Sequence, residues 1–169
     1  MNNVVPKLLK VYNGPPDLTV NIMLSTSQIW GVNQFPGPQN SSLITVVVHN
    51  RLSVLPKSTL PDDPNTLPAF GSDAKGVMVR IGLSSGLRQT GGVGLPAGFQ
   101  AAVAPNNQTV LCFGGDIAAG SSVNFVIEVI GVSGAYETIT AEVDPFSVIP
   151  ETSETNNTAI ASIFVSFLN

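Results

Sequence analysis

Apolar and polar residues alternate with a period of two through much of this chain, while helical spacing is scarce. Alternation is what a half-buried strand needs, because successive side chains point to opposite faces. Seven segments carry the pattern. From Asp17 to Leu24, Leu18, Val20, Ile22 and Leu24 share one face against Asp17, Thr19, Asn21 and Met23. From Leu43 to Leu52, Ile44, Val46 and Val48 turn inward against Thr45, His49 and Arg51. Val77, Val79, Ile81 and Leu83 oppose Met78 and Arg80, and Thr109 to Phe113 is a shorter apolar run that Gly114-Gly115 is expected to end. Val123, Phe125, Ile127 and Val129 oppose Asn124 and Glu128. Ile139, Ala141 and Val143 oppose Thr138, Thr140 and Glu142. Ala159, Ala161, Ile163, Val165 and Phe167 oppose Thr158, Ser162 and Ser166.

The separators are rich in Gly, Pro, Asn, Asp and Ser, residues that supply turn geometry or cannot join a ladder. Two are too long to be turns. Leu55 to Ser72 holds Pro56, Pro61, Pro64 and Pro68; Leu87 to Asn107 holds Gly91, Gly92, Gly94 and Gly98, with room for a short edge strand around Phe99 to Val103. Strands at this spacing predict an all-β, immunoglobulin-like antiparallel two-sheet β-sandwich of about seven strands with two long Pro/Gly-rich loops. Residues 1–16, closing on Asn13-Gly14-Pro15-Pro16, read as an N-terminal extended arm, and residues 17–169 as the sandwich.

The last third adds a resemblance. Leu111-Cys112-Phe113, Ile117 to Phe125, Tyr136 to Pro145 and Val148 to Thr158 follow in order, after Asp17-Leu18-Thr19-Val20 and a strand ending in Asn50. Together they resemble the bacterial cell-adhesion-related immunoglobulin-like domain known as CARDB, over roughly residues 17 to 168. The most specific stretch runs from Val143-Asp144 to Glu154-Thr155-Asn156-Asn157-Thr158. The resemblance implies a β-sandwich and, by itself, a displayed adhesion or carbohydrate-binding module.

Composition narrows the function. Hydrophobic residues make up 43% of the 169 residues and charged residues only 11%, against about 25% in typical soluble domains. The net charge is −4, and Lys7, Lys10, Arg51, Lys57, Lys75, Arg80 and Arg88 are scattered. No basic stripe for a phosphate backbone results, so no nucleic-acid partner is expected. No segment approaches the ~20 apolar residues that a bilayer-crossing helix needs, so no membrane insertion is expected. Met1 to Lys10 lacks the apolar stretch and cleavage site of a secretory signal. A chain kept in the cytoplasm, one released by lysis and one whose leader was removed all fit.

Candidate chemistry is thin. Cys112 is the single cysteine, so no internal disulfide forms, and its apolar neighbours predict a buried, inert thiol. His49 is the single histidine and sits at an outward position without a nucleophile in view. Gly92-Val93-Gly94-Leu95-Pro96-Ala97 matches a loose dinucleotide pattern, but no helix follows it. Neither an enzyme nor a cofactor is expected. Asp144, Glu151, Glu154 and Asn156 offer oxygen ligands to a calcium ion, although turn capping accounts for the same residues and no metal is assigned. Asp62-Asp63 reads as a solvated acidic tip.

The resulting expectation is a structural assembly protein of a virion, a bacteriophage head decoration, collar or tail subunit. It would touch copies of itself or other virion proteins through its arm and loops. Val4, Val5, Leu8, Leu9, Tyr12, Trp30, Phe35 and Phe70 are the interaction candidates. The alternative is a cell-surface adhesion or glycan-binding module on a bacterium, which requires a removed leader.

Overall fold

The computed structural model describes residues 14–31, 40–52 and 71–167. Among them, ten strands form: β1 Leu18–Leu24, β2 Gln28–Trp30, β3 Ser41–Asn50, β4 Ala74–Leu83, β5 Leu87–Gly94, β6 Gln100–Val103, β7 Thr109–Ile117, β8 Ser122–Gly131, β9 Ala135–Val143 and β10 Thr158–Ser166. They build one sheet in the order β1-β3-β8-β5 and a second in the order β2-β10-β9-β4-β7-β6. The two-sheet, all-β expectation holds. Three of the ten strands lie outside the seven alternating segments, and one pairing, β10 with β2, is parallel rather than antiparallel.

Alternation places the core. Leu18, Ile44, Val46, Val48, Leu87, Phe125, Ile127 and Val129 face inward from the first sheet. Ile29, Val79, Ile81, Val110, Cys112, Ile139, Ala141, Val143, Ile163 and Val165 meet them from the second. Each fully buried side chain of this kind stabilises the fold by about 1.5–3 kcal/mol before entropy is counted. Phe99 closes over Phe125 edge to face, with ring centroids 4.9 Å apart.

The glycine-rich stretch from Leu87 to Asn107 is not one long loop. Leu87 and Gln89 turn inward in β5, then a bulge at Gly91 and Gly92 breaks the alternation that would have revealed the strand. Gln89 is buried and donates to the carbonyls of Thr90 and Gly91, 3.0 and 2.8 Å away, so the bulge keeps its polar groups satisfied. The edge strand expected around Phe99 to Val103 is present as β6, paired with β7. Nor do Gly114 and Gly115 end β7. Gly114 adopts a φ of 94° at an irregularity in the β4–β7 ladder, and Gly115 lies under the Phe99 ring, where a Cβ would stand 2.0 Å from a ring carbon.

Gly14 and Pro16, assigned to the arm, are buried, and the Pro16 carbonyl accepts from the Thr152 amide at 2.9 Å. Residues 1–13 of the arm, and nearly all of Leu55 to Ser72, lie outside the described residues.

Polar groups close both ends of the sandwich. Asn50, buried at the end of β3, donates to the carbonyls of Ser72 and Ile117, each 2.9 Å away. At the opposite end Glu137 has inward parity on β9 and accepts from the Ser84 hydroxyl and, at 3.0 Å, from the Gly86 amide. Gly86 is required there, since a Cβ would lie 2.0 Å from the Glu137 carboxylate. Glu137→Ala strands both donors at a site only 7% exposed, so chemical denaturation is expected to show a loss of about 1–3 kcal/mol.

Candidate functional site

Two places on the sandwich carry more than packing. The first is the connection from β9 to β10. Asp144 leaves β9 with a left-handed φ of 45°. Its two carboxylate oxygens accept from the Val148 and Ile149 amides at 3.1 and 2.8 Å, which folds the chain back on itself. Glu151 reaches across to β1, where Oε2 accepts from the Leu18 amide at 2.6 Å, while Oε1 accepts from the Asn157 carboxamide at 3.0 Å. Glu154 accepts from the Glu151 amide at 3.2 Å and from Asn157 at 3.4 Å. Asn156 donates to Asp17 at 2.8 Å.

Asp144, Glu151 and Glu154 thereby bring one carboxylate oxygen each to within 4.8 Å of the others. Asn156, the fourth calcium candidate, is bonded instead to Asp17 on the approach to β1. Among the described residues the ion pairs are those of Lys75 and Arg80, and neither reaches this cluster. Burial, and then the charges of Glu154 and Asp144, push the Glu151 carboxyl up to about 7 against the downward pull of its bonds to Leu18 and Asn157. Sequence reading missed Asn157, whose side chain touches both glutamates. Its offsets of six and three residues were the available signal.

The second place is the outer face of the six-stranded sheet. Tyr136 is 79% exposed and Ile160 69% exposed, at positions where solvent-facing strands normally carry polar residues. Tyr136 pairs across the ladder with Phe164, ring centroids 5.0 Å apart. Trp30 stands one pair further along, opposite Ser166. This interaction candidate is a partly buried strand residue rather than part of a loop. Ile160 and Phe164 occupy the polar parity of β10, a departure visible in the sequence.

The remaining candidates are dispersed. His49 is exposed at the end of β3 and lines a shallow pocket with Asn50, Arg51, Leu52, Gly120 and Ser121. Cys112 is buried, and desolvation pushes its thiol up to about 11, which makes it inert. Gly92, Val93 and Gly94 belong to strand β5 and cradle no phosphate turn. Val4, Val5, Leu8, Leu9, Tyr12, Phe35, Asp62, Asp63 and Phe70 lie outside the described residues.

No protein-family model and no curated protein matches the sequence. Solved structures do match. The chain is similar to the CARDB domain of a Pyrococcus furiosus protein, crystallised in complex with di-metal ions, at a TM-score of 0.58 and 15% identity over 94% of this chain and 99% of that one. A solution structure of the same domain matches at a TM-score of 0.56 and 15% identity, covering 90% and 96%. A cohesin module from a Clostridium perfringens glycoside hydrolase follows at 0.46 and 6%, covering 92% and 100%. The chain is an immunoglobulin-like β-sandwich. Its fold is that of a CARDB domain, as the motifs of its last third imply.

The acidic connection sets a pH dependence. In the unfolded chain Glu151 titrates near its ordinary value of 4.5, so between pH 4.5 and 7 the folded state holds a proton that the unfolded state has released. Stability contributed by this group therefore falls as pH rises through that window. Thermal unfolding at intervals from pH 4.5 to 7.5 is expected to show the fall in the wild type and its loss in Glu151→Gln.

Proposed function

We propose that the chain is a non-enzymatic binding module of the cell-surface adhesion type. One observation carries the reading: the cross-strand pair of Tyr136 and Phe164, with exposed Ile160 beyond the Thr138–Ser162 rung, on the outside of a sheet whose other face already fills the core. An aromatic side chain offers a large contact area at low entropic cost, to a sugar face or to a protein surface. A solvated sheet gains nothing from displaying such an aromatic pair with a further apolar residue on the same face. The sandwich holds them on rigid strands, which favours recognition without rearrangement. The CARDB-like fold over nearly the whole chain supports the same reading, and the surface of a bacterium is the corresponding location.

The virion-assembly reading rests on the low charge, the absence of a recognisable secretory signal in Met1 to Lys10, and the N-terminal arm with the two Pro/Gly-rich stretches. None of the solved structures named above is a virion protein.

The test is retention of immobilised bacterial surface polysaccharides and extracellular-matrix proteins by the purified chain. The wild type is expected to bind at least one of them. Tyr136→Ser combined with Ile160→Thr is expected to weaken that binding at least tenfold while shifting the unfolding midpoint by only a few degrees, because both positions are exposed. Failure of the wild type to bind, with regular self-assembly in light scattering, would favour the virion reading.

A further inference from the structure

The edge of a β-sheet presents a row of unpaired backbone groups that invites another strand. Here the edge strands are β1 and β5 of one sheet and β2 and β6 of the other. All but β1 are blunted. β2 has three residues, and β6 has four, between Pro96 and Pro105. β5 carries Arg88 and the bulge at Gly91 and Gly92. β1 runs for seven residues, Leu-Thr-Val-Asn-Ile-Met-Leu, without a charge, a proline or a bulge. Among the described residues its ladder is with β3 alone, in unbroken register.

The core is open at the same place. Val20, Ile22 and Leu24, on the inward row of β1, stay half-buried, whereas their ladder partners Val48, Val46 and Ile44 on β3 are fully buried. Met23, on the outward row, is 58% exposed. At the ends of the ladder the Arg51 amide donates to the Asp17 carbonyl at 2.7 Å and the Ser25 amide to the Leu43 carbonyl at 2.9 Å. The odd-numbered residues of β1 therefore turn their backbone groups to β3, and the even-numbered ones turn theirs away. Of the latter, the Leu18 amide donates to Glu151 at 2.6 Å and the Ile22 amide to the Asn21 side chain at 2.9 Å. Those of Val20 and Leu24 face the open edge.

We propose that the β1 edge pairs antiparallel with the β1 edge of a second copy of this chain, about a two-fold axis at Ile22. Glu151 sets this register, because it holds the Leu18 amide and leaves Val20 to Leu24 free. Ile22 then exchanges backbone bonds with the second copy's Ile22, and Val20 with the second copy's Leu24, so every backbone group these residues point outward finds a partner. The Ile22 amide exchanges the exposed Asn21 side chain for a carbonyl. Parity matches as well, since opposite residues share a face. The half-buried Val20, Ile22 and Leu24 meet one another on the inward row, and Asn21 meets Met23 on the outward one. The strand is uncharged, so the two-fold brings no like charges together. The N-terminal arm is the poorer occupant. As a strand beside β1, its odd-numbered row would carry Lys7 and its even-numbered row Pro6 and Lys10, so either parity sets a lysine on the row that faces the apolar interior.

The test is sedimentation velocity of the full chain over about 1–500 μM, with amide hydrogen exchange followed residue by residue. A monomer–dimer equilibrium is expected. The Thr19, Asn21 and Met23 amides, turned to β3, are expected to exchange slowly at every concentration, and those of Val20, Ile22 and Leu24 only in the dimer. Asn21→Lys with Met23→Lys alters two exposed residues, sets lysine opposite lysine in this register, and is expected to weaken the dimer about tenfold or more. Asn21→Lys with Met23→Glu sets lysine opposite glutamate and is expected to keep the dimer, which separates a broken seam from a damaged fold. Tyr136→Ser with Ile160→Thr is expected to dimerise as the wild type does, which separates this edge from the proposed binding face. A monomer throughout, or a dimer indifferent to the lysine pair, overturns the proposal. So does slow exchange of the Val20, Ile22 and Leu24 amides at every concentration that deletion of residues 1–13 abolishes, because the arm then covers the edge.

Discussion

The apolar contact between the inward rows of the two sheets is what the remaining structure depends on. Phe125, Ile127 and Val129 of β8 and Ile44, Val46 and Val48 of β3 supply one side, and Val79 and Ile81 of β4 with Ile139, Ala141 and Val143 of β9 supply the other. The effect is non-directional and scales with area removed from water, so it selects the strands' faces but not their neighbours. Hydrogen bonding then orders the strands, and β-branched residues on these rows suit a pleated surface. Few charges are needed in such a chain because so much of each central strand is covered.

The ends of a sandwich are its weak points, since backbone groups there leave the ladder and water can enter. This chain closes them with single polar side chains of inward parity. Asn50 stitches β3 to the residues before β4 and to the end of β7, and Glu137 gathers the β4–β5 turn at the other end. The β9–β10 connection extends the same device, with Glu151 and Asn156 reaching back to Leu18 and Asp17. At that third place the polar groups exceed what closure requires.

The outer face of the larger sheet shows the complementary excess. Arg80 and Glu142 pair across β4 and β9 as solvent-facing residues commonly do, yet further along the same face Ile160, and then Tyr136 with Phe164, are apolar. A displayed apolar surface on rigid strands and a charged loop at one end of them are separate features, and each can act without the other.

Most strands were legible in the sequence because alternation is a local property: each residue's face is fixed by the parity of its position. Seven of the ten strands follow from it, together with the inward row of every one but β7, which showed only as an apolar run. The exposed parity of Ile160 and Phe164 and the acidic residues of the last connection were equally open to inspection. Tertiary structure alone decided the rest. Gln28 to Trp30 is too short to show a period, and β5 hides its own behind a glycine bulge; both became strands because a neighbour's ladder was available. The order of strands, the parallel β2–β10 pair, and the approach of Glu151 to Leu18 across 133 positions all join segments remote in the chain. Local periodicity carries no information about such pairings, which are settled only when the two apolar faces close on each other.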